Sequence, residues 1–465
     1  MSTIAADASS FRDPAGHVYQ IDGRVFRTIT SRAASDYEFL RQTDFLLDIS
    51  ERGWFVGASE IDPSVLGTVD EEVRYVVEHP RIPFVSYPYE WSFPALKAAA
   101  LLHLDLHLEA LQHNVNLCDA SAYNVQFVGA RPVFIDMLSM RRYREGEFWL
   151  GHRQFCEQFL NPLLLRAYFG VPHNAWYRGN LEGITAIDLS RMLSLRQKLS
   201  WNIITQVVLP ARLQRTAIVK RPDDLKKLKQ RRLPLPAFRG MLTQLRGWIS
   251  KLEPADTSKT VWGDYDRTHS YSSDEAVAKH TFIDDFVSRV KPALLWDLGC
   301  NTGEYTETAL DAGARYVVGF DFDQGALQAA FARAKTKDLN FLPLYLDAAN
   351  PSPDQGWHLA ERSGFQSRAT ADAMIALAFE HHLAIGRNIP MGKAIDWLIG
   401  LAPTGVIEFV QKSDPTVQEM LTLREDIFDD YNEENFSSLL QQRARIVKSE
   451  TVSATGRKLF CYDRA

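Results

Sequence analysis

The alternation of short apolar strands with helical segments after residue 256 constrains the fold of this chain more than any other feature. Strands are predicted at 293–298, 316–320, 341–346, 373–378 and 406–410, with helical periodicity between them. Two further β runs, "ARIVKSETV" and "RKLFCYD", end the sequence. This alternation predicts an α/β domain with a doubly wound, mostly parallel sheet and an antiparallel final pair.

We place this α/β domain at residues 256–465. Three further segments are predicted in front of it. A chain of 465 residues exceeds one ordinary core, so more than one domain is expected. Residues 1–15 are predicted to be a disordered tail, 16–205 an α+β module and 206–255 a basic helical connector.

The segment 212–239 concentrates positive charge, although the whole chain has a formal net charge of −6. We interpret it either as a solvated connection between domains or as a contact for an anionic partner, such as a phosphate-bearing substrate. The negative overall charge argues against a general binder of nucleic acids or anionic membranes, so we expect no stable nucleic-acid partner.

The use of cysteine and the distribution of apolar residues indicate the compartment. The four cysteines lie far apart without a CxxC pair, which indicates neither a disulfide framework nor a structural metal site. No basic and apolar leader opens the sequence. The most apolar segment, "FPALKAAALLHLDLHLEAL", is interrupted by charged residues and histidines and predicts a buried helix. We therefore expect a cytoplasmic protein without a membrane span or a metal centre.

The stretch "LLWDLGCNTGEYTE", residues 294–307, predicts a strand, a glycine turn and the start of a helix. A nucleoside triphosphate is excluded because Gly303 is not followed by lysine and then serine or threonine. A dinucleotide is disfavoured because Glu304 would stand where its pyrophosphate should lie. S-adenosyl-L-methionine (SAM) carries no phosphate, and its sulfonium, ammonium and ribose hydroxyl groups favour nearby carboxylates.

Acidic residues at the ends of the first three predicted strands suit that ligand. We expect Asp297 to meet the ammonium group, Asp321 to accept both ribose hydroxyls, and Asp347 to border the adenine. The sequence therefore predicts a SAM site composed of Asp297, Gly299, Cys300, Asn301, Gly303, Asp321, Phe322 and Asp347.

Two motifs resemble those of a known family. "DLGCNTG" followed by "GFDFD" is similar to the first two binding motifs of class I SAM-dependent methyltransferases, which implies a Rossmann-like fold with SAM as cofactor. Segments such as "IPFVSYPYEWSF", "ALAFEHHLAIG" and "EFVQKSDPTVQEML" resemble bacterial methyltransferase-like proteins related to rhizobial host-specificity nodulation proteins. This second resemblance implies a SAM-dependent enzyme with an attached N-terminal module that modifies a glycan or another secreted metabolite.

The end of the fourth predicted strand is where the methyl acceptor is expected. It is followed by Glu380, His381 and His382. One imidazole is a candidate general base, and the sequence does not separate the two histidines. Adjacent histidines without further ligands make a poor metal site. Glu380 and Glu408 are predicted to line the acceptor pocket.

The N-terminal half contains "CDASAYNVQF" and "PVFID", which resemble catalytic segments of protein kinases and aminoglycoside phosphotransferases. Asp119 and Asn124 have the spacing of a kinase catalytic loop, and Asp136 stands where a metal-binding aspartate is expected. No lysine precedes residue 97, so Arg27, with Glu38 as its partner, is the substitute for the nucleotide-binding lysine. An inactive kinase-like scaffold, an acceptor-binding module, a chance hairpin and active phosphoryl transfer stay open.

The predicted function is SAM-dependent methyl transfer to an oxygen atom of a glycan or small-molecule metabolite. A bifunctional kinase and methyltransferase is one alternative, and a non-catalytic SAM-binding protein is the other. Binding of ATP with magnesium would favour the first alternative, and bound SAM without turnover would favour the second.

Overall fold

The computed structural model describes residues 6–67, 70–217, 232–255, 273–422 and 424–464. Contacts divide the chain into two compact units. The first unit comprises Met1–Phe127, Arg131–Asp256 and Gly356–Arg362, and the second comprises Val128–Ala130, Thr257–Gln355 and Ser363–Ala465.

The strands before residue 150 form one sheet and two small pairs. Their bounds are β1 (Val18–Ile21), β2 (Arg24–Thr30), β3 (Ser59–Ile61), β4 (Val73–His79), β5 (Val115–Leu117), β6 (Val125–Val128), β7 (Arg131–Phe134) and β8 (Met140–Arg142). An antiparallel sheet has the order β1-β2-β4-β3, while β5 pairs with β8 and β6 pairs with β7. Gly129, with a φ of 60°, lies in the turn of the predicted hairpin.

Residues 6–15 belong to the segment that the sequence predicts to be a disordered tail, and the structure corrects this. The Asp7 amide donates to the Val18 carbonyl at 2.7 Å, and the Thr30 amide donates to the Ala15 carbonyl at 2.8 Å. Backbone hydrogen bonds to β1 and β2 hold this segment, and composition alone does not reveal such pairing.

The helices of the first unit lie between its strands and in the chain that follows β8. Their bounds are α1 (Ala34–Arg41), α2 (Phe45–Glu51), α3 (Phe93–Ala110), α4 (His152–Phe155), α5 (Asn161–Phe169), α6 (Asn174–Gly179), α7 (Ala186–Met192), α8 (Trp201–Ile203), α9 (Leu209–Ala217) and α10 (Leu235–Ile249). Two π-helical stretches make the chain continuously helical from α4 to α5 and from α8 to α9. They are Cys156–Leu160 and Ile204–Val208.

The second unit contains a seven-stranded sheet with helices between its parallel strands. The strands are β9 (Leu295–Leu298), β10 (Val317–Asp321), β11 (Phe341–Tyr345), β12 (Ala373–Ala376), β13 (Thr404–Phe409), β14 (Arg445–Thr451) and β15 (Lys458–Asp463). The helices are α11 (Ser273–Val290), α12 (Glu304–Asp311), α13 (Gln324–Thr336), α14 (Glu380–Ala384), α15 (Met391–Leu401), α16 (Pro415–Leu421) and α17 (Glu433–Gln441).

The strand order of this sheet positions a ligand site. The order is β11-β10-β9-β12-β13-β15-β14, and only the pairings of β15 with β13 and β14 are antiparallel. The direction of winding reverses between β9 and β12, so a crevice is expected beyond the carboxyl ends of these strands. The predicted doubly wound sheet with an antiparallel final pair is therefore confirmed.

Candidate active site

A cavity of about 520 Å³ lies beyond the carboxyl ends of the parallel strands of the second unit. Most of the residues that the sequence predicts for a SAM site line it, together with both histidines of α14 and with Glu408. The lining residues from this set are Asp297, Gly299, Cys300, Asn301, Asp321, Phe322, Asp347, His381, His382 and Glu408.

The glycine turn after β9 brings backbone to the cavity wall. Gly303 precedes α12 with a φ of 84°, and a Cβ there would lie 2.5 Å from the Phe341 ring. Gly303 is not one of the residues that line the cavity. Its role is steric, because a side chain at this position would collide with Phe341 of β11. Asn301 adopts a φ of 46°, a left-handed conformation that asparagine tolerates.

Asp321 ends β10 and is held by two backbone amides. Its Oδ2 accepts from the Asn301 amide at 2.9 Å, and its Oδ1 accepts from the Asp323 amide at 2.8 Å. Burial raises the pKa of Asp321 to about 6, although these hydrogen bonds oppose the shift. The turn after β9 thus fixes the orientation of a carboxylate that borders the cavity.

Asp297 lies within β9 and is 2% exposed. The Thr306 hydroxyl on α12 donates to its Oδ2 at 2.5 Å. Burial raises the pKa of Asp297 to about 7, and the nearby Asp321 charge adds to the increase. Neither aspartate has an ion-pair partner among the described residues, so this end of the cavity suits a ligand with positive charge.

Other members of the predicted SAM site have distinct surroundings. Asp347 accepts from the Ala349 amide at 3.1 Å and lies 3.8 Å from Arg387. The Phe322 ring is exposed and lies 5.7 Å from the ring of Tyr345. Burial raises the pKa of the Cys300 thiol well above its ordinary value, so this thiol is not a nucleophile.

The opposite end of the cavity contains buried charges from distant parts of the chain. Lys279 of α11 lies 2.8 Å from Glu408 of β13, and Arg457 lies 3.9 Å from the same carboxylate. Arg457 also pairs with Asp414 at 2.7 Å. All four side chains are at most 4% exposed, and Lys279 also lies 3.3 Å from Glu275, so two cations meet three carboxyl groups inside the protein.

His381 and His382 lie side by side, with ring centroids 4.3 Å apart. Burial and the neighbouring cations lower the pKa of His381 well below its ordinary value, and burial lowers that of His382 to about 4. The two ring nitrogens of His381 have no hydrogen-bond partner among the described residues, and this side chain is 1% exposed. A neutral imidazole with both nitrogens available therefore borders the cavity.

Glu380, which the sequence predicts for the acceptor pocket, lies outside the lining of the cavity. It shares a hydrogen bond of 2.5 Å with the Tyr431 hydroxyl. Burial raises the pKa of Glu380 to about 8. Helix α14 turns its side chain into the core, where a protonated carboxyl is stable.

Sequence reasoning missed Lys279 and Arg457 because both come from segments far from the predicted motifs. Lys279 belongs to the helix before β9, and Arg457 to the turn before the last strand. No spacing along the sequence connects these two residues with Glu408. The three side chains meet only when the helices and strands of the second unit pack together.

Two of the predicted kinase-like residues, Asn124 and Asp136, meet in the first unit, and Arg27 engages Asp136. Asn124 donates to Asp136 at 3.3 Å, and Arg27 lies 3.2 Å from the other oxygen of that carboxylate. Arg27 also pairs with Asp13 at 2.5 Å. Asp119 accepts from the Ser121 amide at 2.8 Å.

The predicted pairing of Arg27 with Glu38 is wrong. The Tyr75 hydroxyl donates to Glu38 at 2.7 Å instead. Residues 218–231 of the basic segment lie outside the described residues. No helix among the described ranges is long and apolar enough to cross a membrane, and no cluster of three metal-ligating side chains is found in them.

The fold and the position of the cavity define a doubly wound α/β protein with a candidate ligand site at the switch point of its sheet. No protein-family model matches the chain. Nodulation protein NoeA of Rhizobium meliloti strain 1021 is 47% identical over 458 residues, which are 98% of this chain and 96% of that protein. The chain therefore belongs to the NoeA family, which confirms the predicted relationship to rhizobial nodulation proteins.

Two solved structures also resemble parts of the chain. N-methyltransferase NodS from Bradyrhizobium japonicum WM9 matches 42% of this chain and 98% of its own, with 15% identity and a TM-score of 0.31. The bifunctional kinase-methyltransferase WbdD matches 47% of this chain and 46% of its own, with 18% identity and a TM-score of 0.31.

Proposed function

We propose that this protein is a SAM-dependent methyltransferase that acts on a hydroxyl group of a glycan or another small metabolite. The observation that carries the proposal is Asp321, which backbone amides orient at the edge of a cavity beyond the strand-order switch point. SAM, when bound, supplies an electrophilic methyl group attached to a sulfonium.

The residues around Asp321 fit this cofactor. Asp297 is a buried carboxyl without a cationic partner, and it is suited to the ammonium group. Asp321 offers its remaining lone pairs to the ribose hydroxyls, and Asp347 with Phe322 borders the adenine. Carboxylates that face a cationic ligand in a buried cavity bind it more strongly than they would in water.

The acceptor end supports a neutral acceptor. Lys279 and Arg457 are compensated by Glu408 and Asp414, and burial raises the pKa of Glu275, the third carboxyl beside Lys279, which favours its neutral form, so this cluster does not select an anion or a cation. One ring nitrogen of neutral His381 carries the proton, and the other, unprotonated nitrogen accepts the hydrogen bond of an incoming hydroxyl and orients its oxygen. His381 rather than His382 is therefore assigned to contact the acceptor and to take its proton.

The N-terminal unit is proposed to be a kinase-like scaffold that does not transfer phosphoryl groups. Arg27 already engages the Asp136 carboxylate, which a kinase would use for a metal ion. Asp13 of the N-terminal segment also pairs with Arg27 and holds this side chain beside Asp136.

The experiment that tests the function has two stages. Calorimetric titration of SAM into the full chain is expected to give micromolar affinity, while ATP with magnesium gives no heat. Labelled methyl is then expected to pass from SAM to neutral oligosaccharides and not to their amino-sugar counterparts. Absence of SAM binding would overturn the methyltransferase assignment, and heat from ATP would overturn the scaffold assignment.

Two variants test the histidine assignment. His381→Phe is expected to lower the transfer rate by about 100-fold, because the hydrogen-bond acceptor and base are lost. The SAM dissociation constant should stay within about threefold of the wild-type value, because the assigned role of His381 concerns the acceptor and not SAM. His382→Phe is the matched control, and an equal loss of rate in both variants would contradict the choice of His381.

SAM affinity is expected to fall as the pH is lowered from 8 to 5. The ammonium group favours ionised Asp297, whose pKa in the free protein is about 7, so a proton must leave this carboxyl when SAM binds. Between about pH 7 and pH 6 the dissociation constant should rise by up to about tenfold per pH unit, and below about pH 6 it should rise more steeply because Asp321 is protonated as well.

The contribution of Asp297 and Asp321 to the stability of the ligand-free protein should change in the opposite direction. Asp297 and Asp321 hold protons more tightly in the folded than in the unfolded chain. Their contribution to the free energy of unfolding therefore decreases as the pH rises from about 4 to about 7, whereas buried histidines with a lowered pKa, His382 among them, contribute an increase. Titrations and denaturation curves across this range check both signs, and Asp297→Asn should flatten both profiles near pH 7.

A further inference from the structure

Large apolar side chains are exposed between residues 195 and 209 of the first unit. Leu195 is 84% exposed, Leu199 80%, Trp201 68% and Leu209 44%. A lone exposed leucine needs no explanation, but this concentration, with a tryptophan among them, indicates a surface that something covers.

The helical run from Trp201 to Ala217 separates a buried face from this exposed one. Ile203, Val207 and Ala211 recur at intervals of four residues and are at most 2% exposed. Trp201 and Leu209 lie outside that buried row. The helix therefore already has its core contacts, and its exposed side chains are not needed for them.

The same stretch carries only positive charge. Between residues 189 and 217 the sequence contains no aspartate or glutamate. Its cations are Arg191, Arg196, Lys198, Arg212 and Arg215, of which Arg191 pairs with Asp188 at 3.5 Å. Since the whole chain has a net charge of −6, this local excess of cations is a property of the surface and not of the protein at large.

We propose that this surface, residues 191–215, docks on an anionic lipid bilayer. Leucine and tryptophan beside arginine and lysine match the interface of a bilayer, where the apolar side chains enter the acyl boundary and the cations meet the headgroups. Nucleic acid would satisfy the cations but would leave the leucines exposed to water. The docking surface is separate from the proposed methyl transfer and does not depend on it.

The test uses the purified full chain and two kinds of vesicle. Flotation with vesicles of phosphatidylcholine plus phosphatidylglycerol is expected to carry the protein, and vesicles of phosphatidylcholine alone are expected to bind it at least about tenfold more weakly. Arg196→Glu with Arg215→Glu should weaken binding to the anionic vesicles by about 30-fold or more. Leu199→Ser with Trp201→Ser should weaken it by about tenfold or more.

Leu47→Ser provides the matched control for the Leu199→Ser and Trp201→Ser substitutions. Leu47 is 61% exposed in the same unit and lies outside the basic stretch, so its replacement should not change vesicle binding. Calorimetric SAM binding and the circular dichroism spectrum of each variant check that the fold is intact. Failure of the wild type to float, equal binding to both vesicles, or binding that survives in folded variants would each overturn the proposal. Self-association of the wild type that the serine variants lose would assign the surface to a second copy of the chain instead.

Discussion

Asp321→Asn is expected to weaken SAM binding by about 100-fold or more. Two hydrogen bonds from hydroxyl groups to a charged acceptor are worth about 1.5–3 kcal/mol each, and each 1.4 kcal/mol corresponds to a factor of ten in affinity. The Asp321 carboxylate is already oriented by the amides of Asn301 and Asp323, so little of this free energy is lost to ordering on binding. Calorimetric titration at pH 8, where Asp321 is ionised, measures the effect.

Asp323→Asn is the matched control for this substitution. It removes the same charge two residues away, on a side chain that also lines the cavity. Asp323 caps α13 by accepting from the amides of Gly325 and Ala326, and asparagine caps helices equally well. The affinity should change by no more than about threefold. An equal loss in both variants would show that net charge, and not the ribose contact of Asp321, governs binding.

The sheet of the second unit could be predicted because its strands are continuous apolar runs bounded by turns. The predicted strands at 293–298, 341–346 and 373–378 correspond to β9, β11 and β12 within two residues at each end. In a parallel sheet with both faces covered, nearly every strand residue is buried and apolar. The strands are therefore recognisable in the sequence as continuous apolar runs.

The cofactor end of the cavity could be predicted for a related reason. Asp297 and Asp321 lie in or at the end of apolar strands, where a carboxylate is costly unless a ligand or backbone amide satisfies it. The contacts that orient Asp321 are local and follow from the glycine turn. Thr306, which donates to Asp297, gave no such signal, because a threonine in a predicted helix does not by its identity indicate a buried hydrogen bond.

The first unit shows where sequence reasoning fails. Arg27 was predicted to pair with Glu38 because a kinase-like lobe places a helix acid near that strand. The N-terminal segment instead runs along β2 and brings Asp13 to Arg27, and Asp136 approaches from the hairpin. Pairing between an N-terminal segment and a strand edge has no periodic signature, so the partner of Arg27 could not be predicted.

Lys279→Met is expected to lower the free energy of unfolding by about 3–5 kcal/mol, because it leaves a buried carboxylate without its nearest cation. Glu408 is fully buried, and Lys279 lies 2.8 Å from it, whereas Arg457 is 3.9 Å away and also pairs with Asp414. Chemical denaturation of the ligand-free protein measures the loss. Lys448→Met, which breaks an exposed pair with Asp285, should cost less than about 1 kcal/mol.

The double variant Lys279→Met with Glu408→Gln distinguishes an uncompensated charge from lost packing. Removing both charges takes away the desolvation penalty together with the attraction, so most of the stability should return. Arg457 keeps Asp414 as its partner in this variant. If the double variant is as unstable as Lys279→Met, the loss comes from packing around α11. Recovery of stability without recovery of methyl transfer would instead assign the buried pair to the shaping of the acceptor end of the cavity.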